Sequence, residues 1–501
     1  MPDEQGQHTP RTARVIVLVW DGMRPDYVTP ELTPNLCALA ASGSSYRRAI
    51  GIFPSVTRPT TSSVSTGTHP ATHGIVGNLF VGPPGDRAPL DTGDRDALER
   101  LRAVNNGRIL PVPTLAEAVV AAGKRIVVLG SGTSGQMVLL DPERVGTTIH
   151  VGFTVPDTLF ADLTARFGPP PAKTIPVNAT NDWLNTVLTD YVLPELAPDV
   201  AIMWQCEPDA TQHAHGLGAP AALDAIRGND ARLGRLLAAI EASGVPTTII
   251  VASDHGHSTV TGMVRTKESL AEAGFAEALA AGRLHLADQA FVVEDGPGAD
   301  ELRDALGAWL VAQPWVGALV AWENGASTPP LGALTPQALY GDRDRPGFPH
   351  APTFTYSHAW TDASNTHDAP GSAYAGFVEG MADFARLQGP IVGLNKLTST
   401  HGTLSPRDQN TVLILAGAGI RPGTPDLPVA VLDLAPTILA LLELPPLEHA
   451  EGRALSESFA DGPAPETVAI ATEEIAALAF GPLHRHRVGQ ATYIDTGLPR
   501  S

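Results

Sequence analysis

The chain has 501 residues, and its 53 acidic and 33 basic residues leave a formal net charge of −20 at pH 7. Hydrophobic residues make up 43% of the chain, which is ordinary for a globular protein and excludes a disordered acidic segment. Because such a charge repels polyphosphate chains, the composition argues against a nucleic acid polymer as a partner and favours a small substrate.

The cysteine count and the N-terminus bear on the compartment. Two cysteines, Cys37 and Cys206, cannot form a disulfide framework. Residues 1–14 are polar, and no secretory signal is visible before the first apolar run. No run approaches the roughly 18–20 apolar residues of a membrane span. We therefore expect a cytoplasmic protein with no membrane partner, and nothing in the sequence indicates an oligomeric state.

The predicted elements alternate between strands and helices. The first run, VIVLVW from Val15, is continuous and β-branched, as in a strand buried on both faces. Thr33 as N-cap and Pro34 at the first helical position then predict a helix to Ser42. Further buried strands are predicted at 125–129, 200–204, 247–252 and 411–416, and helices at 114–122, 182–192, 229–242 and 433–442.

This alternation predicts an α/β fold with a mostly parallel central sheet flanked by helices. Residues 285–395 differ, with short apolar runs and scattered Pro, Gly, Trp and His, and we predict an inserted cap or lid there. The predicted catalytic core comprises residues 15–284 and 396–460. A polar segment, 1–14, precedes it, and a segment without a strong pattern, 461–501, follows it.

Acidic and imidazole side chains follow several of the predicted strands. In open parallel sheets, functional residues collect at the carboxyl ends of strands. Carboxylate oxygen and imidazole nitrogen together suit Zn²⁺. A lone aspartate at a strand end is often only a helix cap, and a lone histidine often a surface residue, so spacing by itself leaves both interpretations open. The residues concerned are Asp21, Asp209, His213, Asp254, His255 and His401.

Local spacing adds detail to this pattern. Asp209 and His213 are four residues apart, so one helical turn would place both on one face. Asp254 and His255 are neighbours and can serve one site only where the strand breaks, which Gly256 allows.

A candidate nucleophile lies in the Ser/Thr-rich segment 53–67. Pro59 favours the first turn of a helix, which places Thr57 and Arg58 at its N-terminus, where free amides and the helix dipole favour an anion such as phosphate. A threonine hydroxyl is inert at neutral pH, but metal coordination lowers its pKa and makes it an attacking oxygen. The alternative is an ordinary helix cap.

Taken together and in order, these motifs resemble the alkaline phosphatase superfamily, and the branch of type I phosphodiesterases and nucleotide pyrophosphatases most of all. The resemblance runs from residue 15 to about 455. It is carried by segments 15–27 (VIVLVWDGMRPDY), 53–67, 73–78 (HGIVGN), 207–216 (EPDATQHAHG), 253–256 (SDHG), 400–402 (THG), 433–437 and 452–455.

The resemblance implies two Zn²⁺ ions per chain. One would be held by the residues that match the first ligand set of the family, which here are Asp209, His213 and His401. The other would be held by those that match the second set, which here are Asp21, Thr57, Asp254 and His255.

The resemblance also implies the course of the reaction. Thr57 would attack phosphorus to form a covalent phospho-threonine, which is then hydrolysed. Asn78, which closes the HGIVGN segment, would donate to a phosphate oxygen, although Gly-Asn is also a common turn sequence.

Two residues depart from the family pattern. The phosphodiesterase branch often reads Thr-Phe-Pro-Asn, whereas this chain reads Thr57-Arg58-Pro59-Thr60. The missing aromatic ring weakens the case for a nucleotide. Arg58 is either a substrate-binding residue, since its fork suits a phosphate or carboxylate, or a solvated side chain.

These observations predict a two-zinc hydrolase of phosphodiester or pyrophosphate bonds in a small phosphate ester, nucleotides included. A phosphomonoesterase or a phosphonoacetate-type phosphonate hydrolase of the same superfamily is the alternative, although residues 130–135 lack the lysines typical of the latter. An inactive metal-binding or ligand-binding protein is the alternative of another class.

Two further histidines, His215 and His257, lie beside the motifs in the sequence. Each either orients a metal ligand or is solvated.

Overall fold

The computed structural model describes residues 11–322, 332–341, 350–376, 397–478 and 481–496. Its strands, in chain order, are β1 (Arg14–Trp20), β2 (Ser44–Ser45), β3 (Arg48–Ala49), β4 (Leu79–Val81), β5 (Pro89–Asp91), β6 (Ile126–Gly130), β7 (Thr147–His150), β8 (Phe153–Val155), β9 (Val200–Gln205), β10 (Thr247–Ala252), β11 (Ser258–Val264), β12 (Leu284–Ala287), β13 (Ala290–Val293), β14 (Val316–Ala321), β15 (Phe354–His358), β16 (Trp360–Ser364), β17 (Pro370–Gly376), β18 (Ser399–Thr400), β19 (Leu413–Gly417), β20 (Pro428–Val429), β21 (Ala471–Leu478), β22 (Gly481–Val488) and β23 (Ala491–Asp495).

The α-helices of the same residues are α1 (Pro34–Ser42), α2 (Thr57–Thr66), α3 (Pro70–His73), α4 (Arg95–Leu98), α5 (Leu115–Ala121), α6 (Ser134–Leu140), α7 (Thr158–Phe167), α8 (Asn178–Val187), α9 (Asp209–His215), α10 (Pro220–Ser243), α11 (Thr266–Leu270), α12 (Ala276–Ala280), α13 (Ala299–Val311), α14 (Pro336–Tyr340), α15 (Pro406–Gln409) and α16 (Leu434–Leu441). None of these helices is both long and apolar enough to cross a bilayer.

The central sheet has eight strands in the order β2-β19-β10-β1-β9-β6-β7-β8. Its five inner strands, β10, β1, β9, β6 and β7, run parallel, whereas β19, β2 and β8 pair antiparallel at the edges. The predicted α/β fold with a mostly parallel sheet is therefore confirmed. The predicted strand 411–416 corresponds to β19 and is one of the antiparallel ones.

Helices cover both faces of this sheet, which explains the continuous apolar run of β1. All seven residues of β1 are buried. Alternate residues belong to different clusters, because successive side chains of a strand point to opposite faces. Helices α5 and α16 pack on one face, and α1, α8 and α10 on the other. The β1 residues on the face of α5 and α16 are Val15, Val17 and Val19. Those on the face of α1, α8 and α10 are Ile16, Leu18 and Trp20.

Two predicted helices differ from those observed. The helix predicted at 229–242 is the C-terminal part of α10, which begins at Pro220 with proline in its first turn. The helix predicted at 182–192 begins earlier, as α8, and changes at Leu188 to a π-helical segment, Leu188–Leu196. That segment contains Pro194, which cannot donate an intrahelical hydrogen bond.

Smaller sheets lie outside the central one. Strands β12, β13, β15 and β14 form a four-stranded sheet that α13 packs against, and β16, β17, β11 and β18 form another. Strands β21, β22 and β23 form an antiparallel sheet within segment 461–501. The domain boundaries, including the insert at 285–395, stay predictions. Residues 1–10, 323–331, 342–349, 377–396, 479–480 and 497–501 lie outside the described residues.

Candidate active site

Three aspartates meet at one edge of the central sheet because their strands are parallel neighbours. Val19 of β1 is in register with Trp204 of β9 and Ala252 of β10, so these three strands end side by side. Each is followed by an aspartate, and all three aspartates are buried. The three are Asp21, Asp209 and Asp254.

The acidic and imidazole groups form two adjacent clusters. In each cluster, one potential ligand atom per residue lies within 4.8 Å of the others. The rings of His255 and His401 stack with centroids 3.5 Å apart, which brings the two clusters together. The first cluster contains Asp209, His213, His257 and His401, and the second contains Asp21, Asp254 and His255.

In the second cluster, oxygen atoms surround the Nε2 atom of His255. Asp21 Oδ1 lies 3.4 Å from that nitrogen and Asp254 Oδ2 lies 3.3 Å from it. Neither oxygen accepts a hydrogen bond from any described residue. The opposite oxygens are held: Asp21 Oδ2 accepts from Trp204 Nε1 at 2.9 Å, and Asp254 Oδ1 accepts from the Gly22 amide at 3.0 Å. Each carboxylate thus keeps one buried oxygen directed at the centre of the cluster.

In the first cluster, Asp209 Oδ1 is the shared centre. It lies 3.2 Å from His213 Nε2, 2.7 Å from His257 Nε2 and 3.4 Å from His401 Nε2. His213 is on the same helix, α9, one turn after Asp209. The predicted spacing of four residues therefore does place both side chains together.

Backbone carbonyls fix the orientation of three imidazoles. The Nδ1 atom of His213 donates to the carbonyl of Ser399 at 2.7 Å, and that of His255 donates to Gly256 at 2.9 Å. His401 Nδ1 donates to the carbonyl of Ser55 at 2.8 Å. A carbonyl only accepts, so in the neutral rings the Nε2 lone pairs face the carboxylates. This donor set, with its unpartnered oxygens, fits divalent cations and is unfavourable without positive charge.

The pKa shifts of the buried groups also indicate that the second cluster suits a cation. Burial and the neighbouring Asp21 raise the pKa of Asp254 well above its usual range. Burial lowers the pKa of His255, but Asp254 and Asp21 outweigh it and raise that pKa to about 10. Closely spaced buried carboxylates repel one another, and a bound cation relieves that repulsion.

The candidate nucleophile lies beside the second cluster. Thr57 is the first residue of α2, only 3% of it is exposed, and its Oγ1 atom lies 3.4 Å from His255 Nε2. The backbone amide of Arg58 donates to Asn78 Oδ1 at 3.1 Å. This contact holds Asn78 at the N-terminus of α2 with its Nδ2 donor unused among the described residues.

Arg58 is not a solvated side chain. It is 2% exposed, and burial lowers its pKa while Asp91 acts to raise it. Since the guanidinium lies inside the protein at the start of α2, the structure excludes the solvated alternative.

Several residues near the site were missed or left open by the sequence. His257 is fully buried, and its Nδ1 atom lies 3.1 Å from Ser399 Oγ, whereas His215 is exposed. His73 is buried between Ser63 Oγ and the Ile75 amide, each 3.1 Å from one of its ring nitrogens, and so ties the HGIVGN segment to α2. The position of His257, one residue beyond Asp-His-Gly, was the only signal for it.

The fold is that of the alkaline phosphatase superfamily, as the comparison with solved structures shows. Alkaline phosphatase PafA aligns with a TM-score of 0.61 at 14% identity, covering 90% of this chain and 99% of that one. Murine ectonucleotide pyrophosphatase/phosphodiesterase 5 aligns with a TM-score of 0.55 at 16% identity, covering 87% and 96%. Phosphonoacetate hydrolase from Sinorhizobium meliloti aligns with a TM-score of 0.56 at 18% identity, covering 86% and 95%.

Within that superfamily, residues 15–309 match the family of type I phosphodiesterases and nucleotide pyrophosphatases, and the chain belongs to this family. The predicted resemblance is thereby confirmed. An uncharacterized pyrophosphatase/phosphodiesterase of Schizosaccharomyces pombe is 44% identical over 69 residues. That match spans 14% of this chain and 14% of the length of the relative.

Gly256 places Asp254 and His255 through close packing. A side-chain carbon there would lie 2.0 Å from the carbonyl oxygen of Arg407, and the Gly256 amide donates to the backbone carbonyl of Asp408 at 2.8 Å. Gly256 does not have a positive φ. Glycine is therefore needed for the close approach of two backbones, whereas the sequence suggested it for its conformational freedom.

We predict that Gly256→Ala destabilises the protein by about 1–3 kcal/mol, the usual cost of overpacking a dense interior. Gly423→Ala is the matched control, because nothing lies within 4 Å of a side-chain carbon there and its φ is not positive. Urea unfolding of both variants measures the effect. Equal stability of the two variants would contradict the packing argument.

Proposed function

We propose that this chain is a metal-dependent phosphohydrolase that cleaves phosphodiester or pyrophosphate bonds of a small phosphate ester through a phosphorylated Thr57. One observation carries the proposal. The hydroxyl of a buried threonine at a helix N-terminus lies 3.4 Å from His255 Nε2, beside two clusters of carboxylates and imidazoles. Family membership supports the same reaction class.

We propose two Zn²⁺ ions as the cofactors, because oxygen and nitrogen ligands in adjacent clusters suit zinc. When bound, such ions neutralise charge on the phosphate and lower the pKa of a coordinated hydroxyl. Asp209, His213 and His401 would hold one ion. The residues that would hold the other are Asp21, Thr57, Asp254 and His255.

The residues of the chain then have distinct tasks. Thr57 Oγ1 attacks phosphorus, so that an oxygen–phosphorus bond forms as the bond to the leaving alcohol breaks. Water then hydrolyses the bond between Thr57 Oγ1 and phosphorus, which releases the phosphate monoester of the remaining alcohol and restores the hydroxyl. The N-terminus of α2 favours the anionic phosphate, and Asn78 Nδ2 donates to one of its oxygens. Arg58, buried next to the nucleophile, adds positive charge on the same side.

Removing the nucleophile tests the proposal. We expect Thr57→Val to abolish turnover of a bis-aryl phosphate diester while zinc content, measured by elemental analysis, stays nearly intact. Thr60→Val is the matched control, because Thr60 is fully buried in the same helix and its hydroxyl has no hydrogen-bond partner among the residues that the structure describes. Normal turnover by Thr57→Val would remove the proposed nucleophile.

The covalent step and the substrate class are tested on the wild-type protein. Rapid acid quench during turnover of the diester, followed by peptide mass spectrometry, should find an aryl phosphoryl group on Thr57, because the attack expels only one of the two aryl alcohols. The diester should be hydrolysed faster than the corresponding aryl monoester, and a strong preference for the monoester would favour the phosphomonoesterase alternative. A chain that binds zinc but hydrolyses neither ester is a binding protein.

Loss of the Asn78 donor should slow the reaction. We predict that Asn78→Asp, which keeps the acceptor for the Arg58 amide and loses the Nδ2 donor, lowers kcat by about 10²–10³. Asn78→Ala should lower kcat to a similar extent. Steady-state kinetics on the diester measure both, and a change of less than about threefold would contradict the role.

His257 should support metal binding through Asp209. We predict that His257→Leu weakens zinc binding by about 10–100-fold, because it removes a buried hydrogen bond to a ligand carboxylate. His215→Leu is the control, since this histidine is exposed two residues after His213. Competition with a chelator of known affinity measures both. Unchanged affinity in His257→Leu would show that Asp209 is positioned without it.

A further inference from the structure

One oxygen of each carboxylate in the second cluster accepts hydrogen bonds from the protein. Asp254 Oδ1 accepts from the backbone amides of Gly22 and His255, each at 3.0 Å. Asp21 Oδ2 accepts at 2.9 Å from the indole Nε1 of Trp204, a side chain that is fully buried. Because most residue types supply a backbone amide, Trp204 is the contact of this kind that depends on the identity of a side chain.

Strand β9 holds Asp21 at two points. The backbone amide of Asp21 donates to the carbonyl of Gln205 at 3.0 Å, and its carboxylate accepts from Trp204. Trp204 lies in register with Val19 of β1 and with Gly130 of β6, and its side chain belongs to the cluster on the face of α5 and α16. An inner strand of the central sheet therefore fixes both the position and the rotation of the Asp21 carboxylate.

Burial of an indole does not by itself explain this contact. Trp20 is also buried, with 1% of it exposed, and its Nε1 atom has no hydrogen-bond partner among the residues that the structure describes. It lies one residue before Asp21 in the chain but on the opposite face of the sheet, in the cluster of α1, α8 and α10. The two tryptophans are thus alike in burial, and they differ in that Trp204 reaches the Asp21 carboxylate.

The other donor atoms of the second cluster are spaced as in a tetrahedral zinc site. Asp21 Oδ1 lies 3.4 Å from His255 Nε2, and Asp254 Oδ2 lies 3.3 Å from it. Thr57 Oγ1 lies 3.4 Å from the same nitrogen. Zinc bonds of about 2.0–2.1 Å at tetrahedral angles place ligand atoms about 3.3–3.4 Å apart, whereas an octahedron of similar bond length places them about 2.8–3.0 Å apart. The separations match the tetrahedron, which takes one oxygen from each carboxylate.

We infer that Trp204 is a positioning residue that makes Asp21 a one-oxygen metal ligand and thereby favours zinc over ions that prefer more oxygen ligands. The inference rests on the metal ions of the proposed function, but not on the reaction at Thr57. With the indole donor in place, Asp21 Oδ2 is engaged and Oδ1 faces the cation. Without that donor, the carboxylate is free to turn and to chelate with both oxygens, which suits an ion of higher coordination number such as Mn²⁺.

Trp204→Phe tests the inference, because it removes the Nε1 donor and keeps an aromatic ring. Zinc affinity, measured by competition with a chelator of known affinity, should fall by about 10–100-fold, the usual effect of losing a hydrogen bond to a metal ligand. Mn²⁺ affinity, measured from the EPR signal of the free ion, should change by less than about threefold, because two oxygens of Asp21 then suit this ion. A merely structural defect would weaken the binding of both ions alike.

Cobalt(II) gives a second readout, because its visible absorption is strong in a four-coordinate site and weak in a six-coordinate one. With Co²⁺ bound at both clusters, Trp204→Phe should absorb less per ion than the wild type. Trp20→Phe is the matched control, because it removes an equally buried indole from the other face of the sheet. Its spectrum and its affinities should equal those of the wild type, and melting temperatures verify that each variant is folded.

The outcomes separate this inference from the proposed reaction. Equal losses of zinc and Mn²⁺ affinity in Trp204→Phe, or an unchanged Co²⁺ spectrum, would overturn the inference and leave the hydrolase proposal intact. A crystal structure of the zinc-loaded wild-type protein decides the same question without the variant, and binding of the ion by both oxygens of Asp21 would overturn the inference. A wild-type chain that binds neither zinc nor Co²⁺ would overturn it together with the proposed metal ions. None of these measurements uses a substrate, so failure of the reaction at Thr57 is seen separately, in turnover.

Discussion

The burial of three carboxylates at one edge of a parallel sheet is the constraint on which the rest of this structure depends. Asp21, Asp209 and Asp254 follow strands that lie side by side, so their charges are brought together where water is scarce. Such an arrangement is costly unless positive charge compensates it. The neighbouring imidazoles, the unpartnered oxygens and the family to which the chain belongs all agree with compensation by metal ions.

Loops distant in sequence hold the imidazoles in place. Ser55, just before α2, accepts a hydrogen bond from His401 Nδ1 and donates one to the carbonyl of Thr403. Asp408 accepts hydrogen bonds from Ser258 and Thr403 and so joins the loop after β10 to the loop around His401. One network of hydrogen bonds therefore joins the start of α2, where Thr57 lies, to the loops that carry the two clusters.

The substrate side of the site has a different character. Around Thr57 the protein offers a helix N-terminus, an amide and a buried guanidinium, all suited to an anion. The carboxylates of the two clusters and the groups suited to an anion around Thr57 therefore lie side by side.

The sequence by itself determined four of the five parallel strands, β1, β6, β9 and β10, the residues at their ends and the family, but it did not indicate β7. The reason is local: continuous β-branched runs identify buried strands, and motifs in fixed order identify the superfamily. Only the tertiary structure decided that Arg58 and His257 are buried and that Trp204 holds Asp21. Each of these depends on a partner far away in the chain, and such pairings are set by how loops pack on the sheet, which no local pattern encodes.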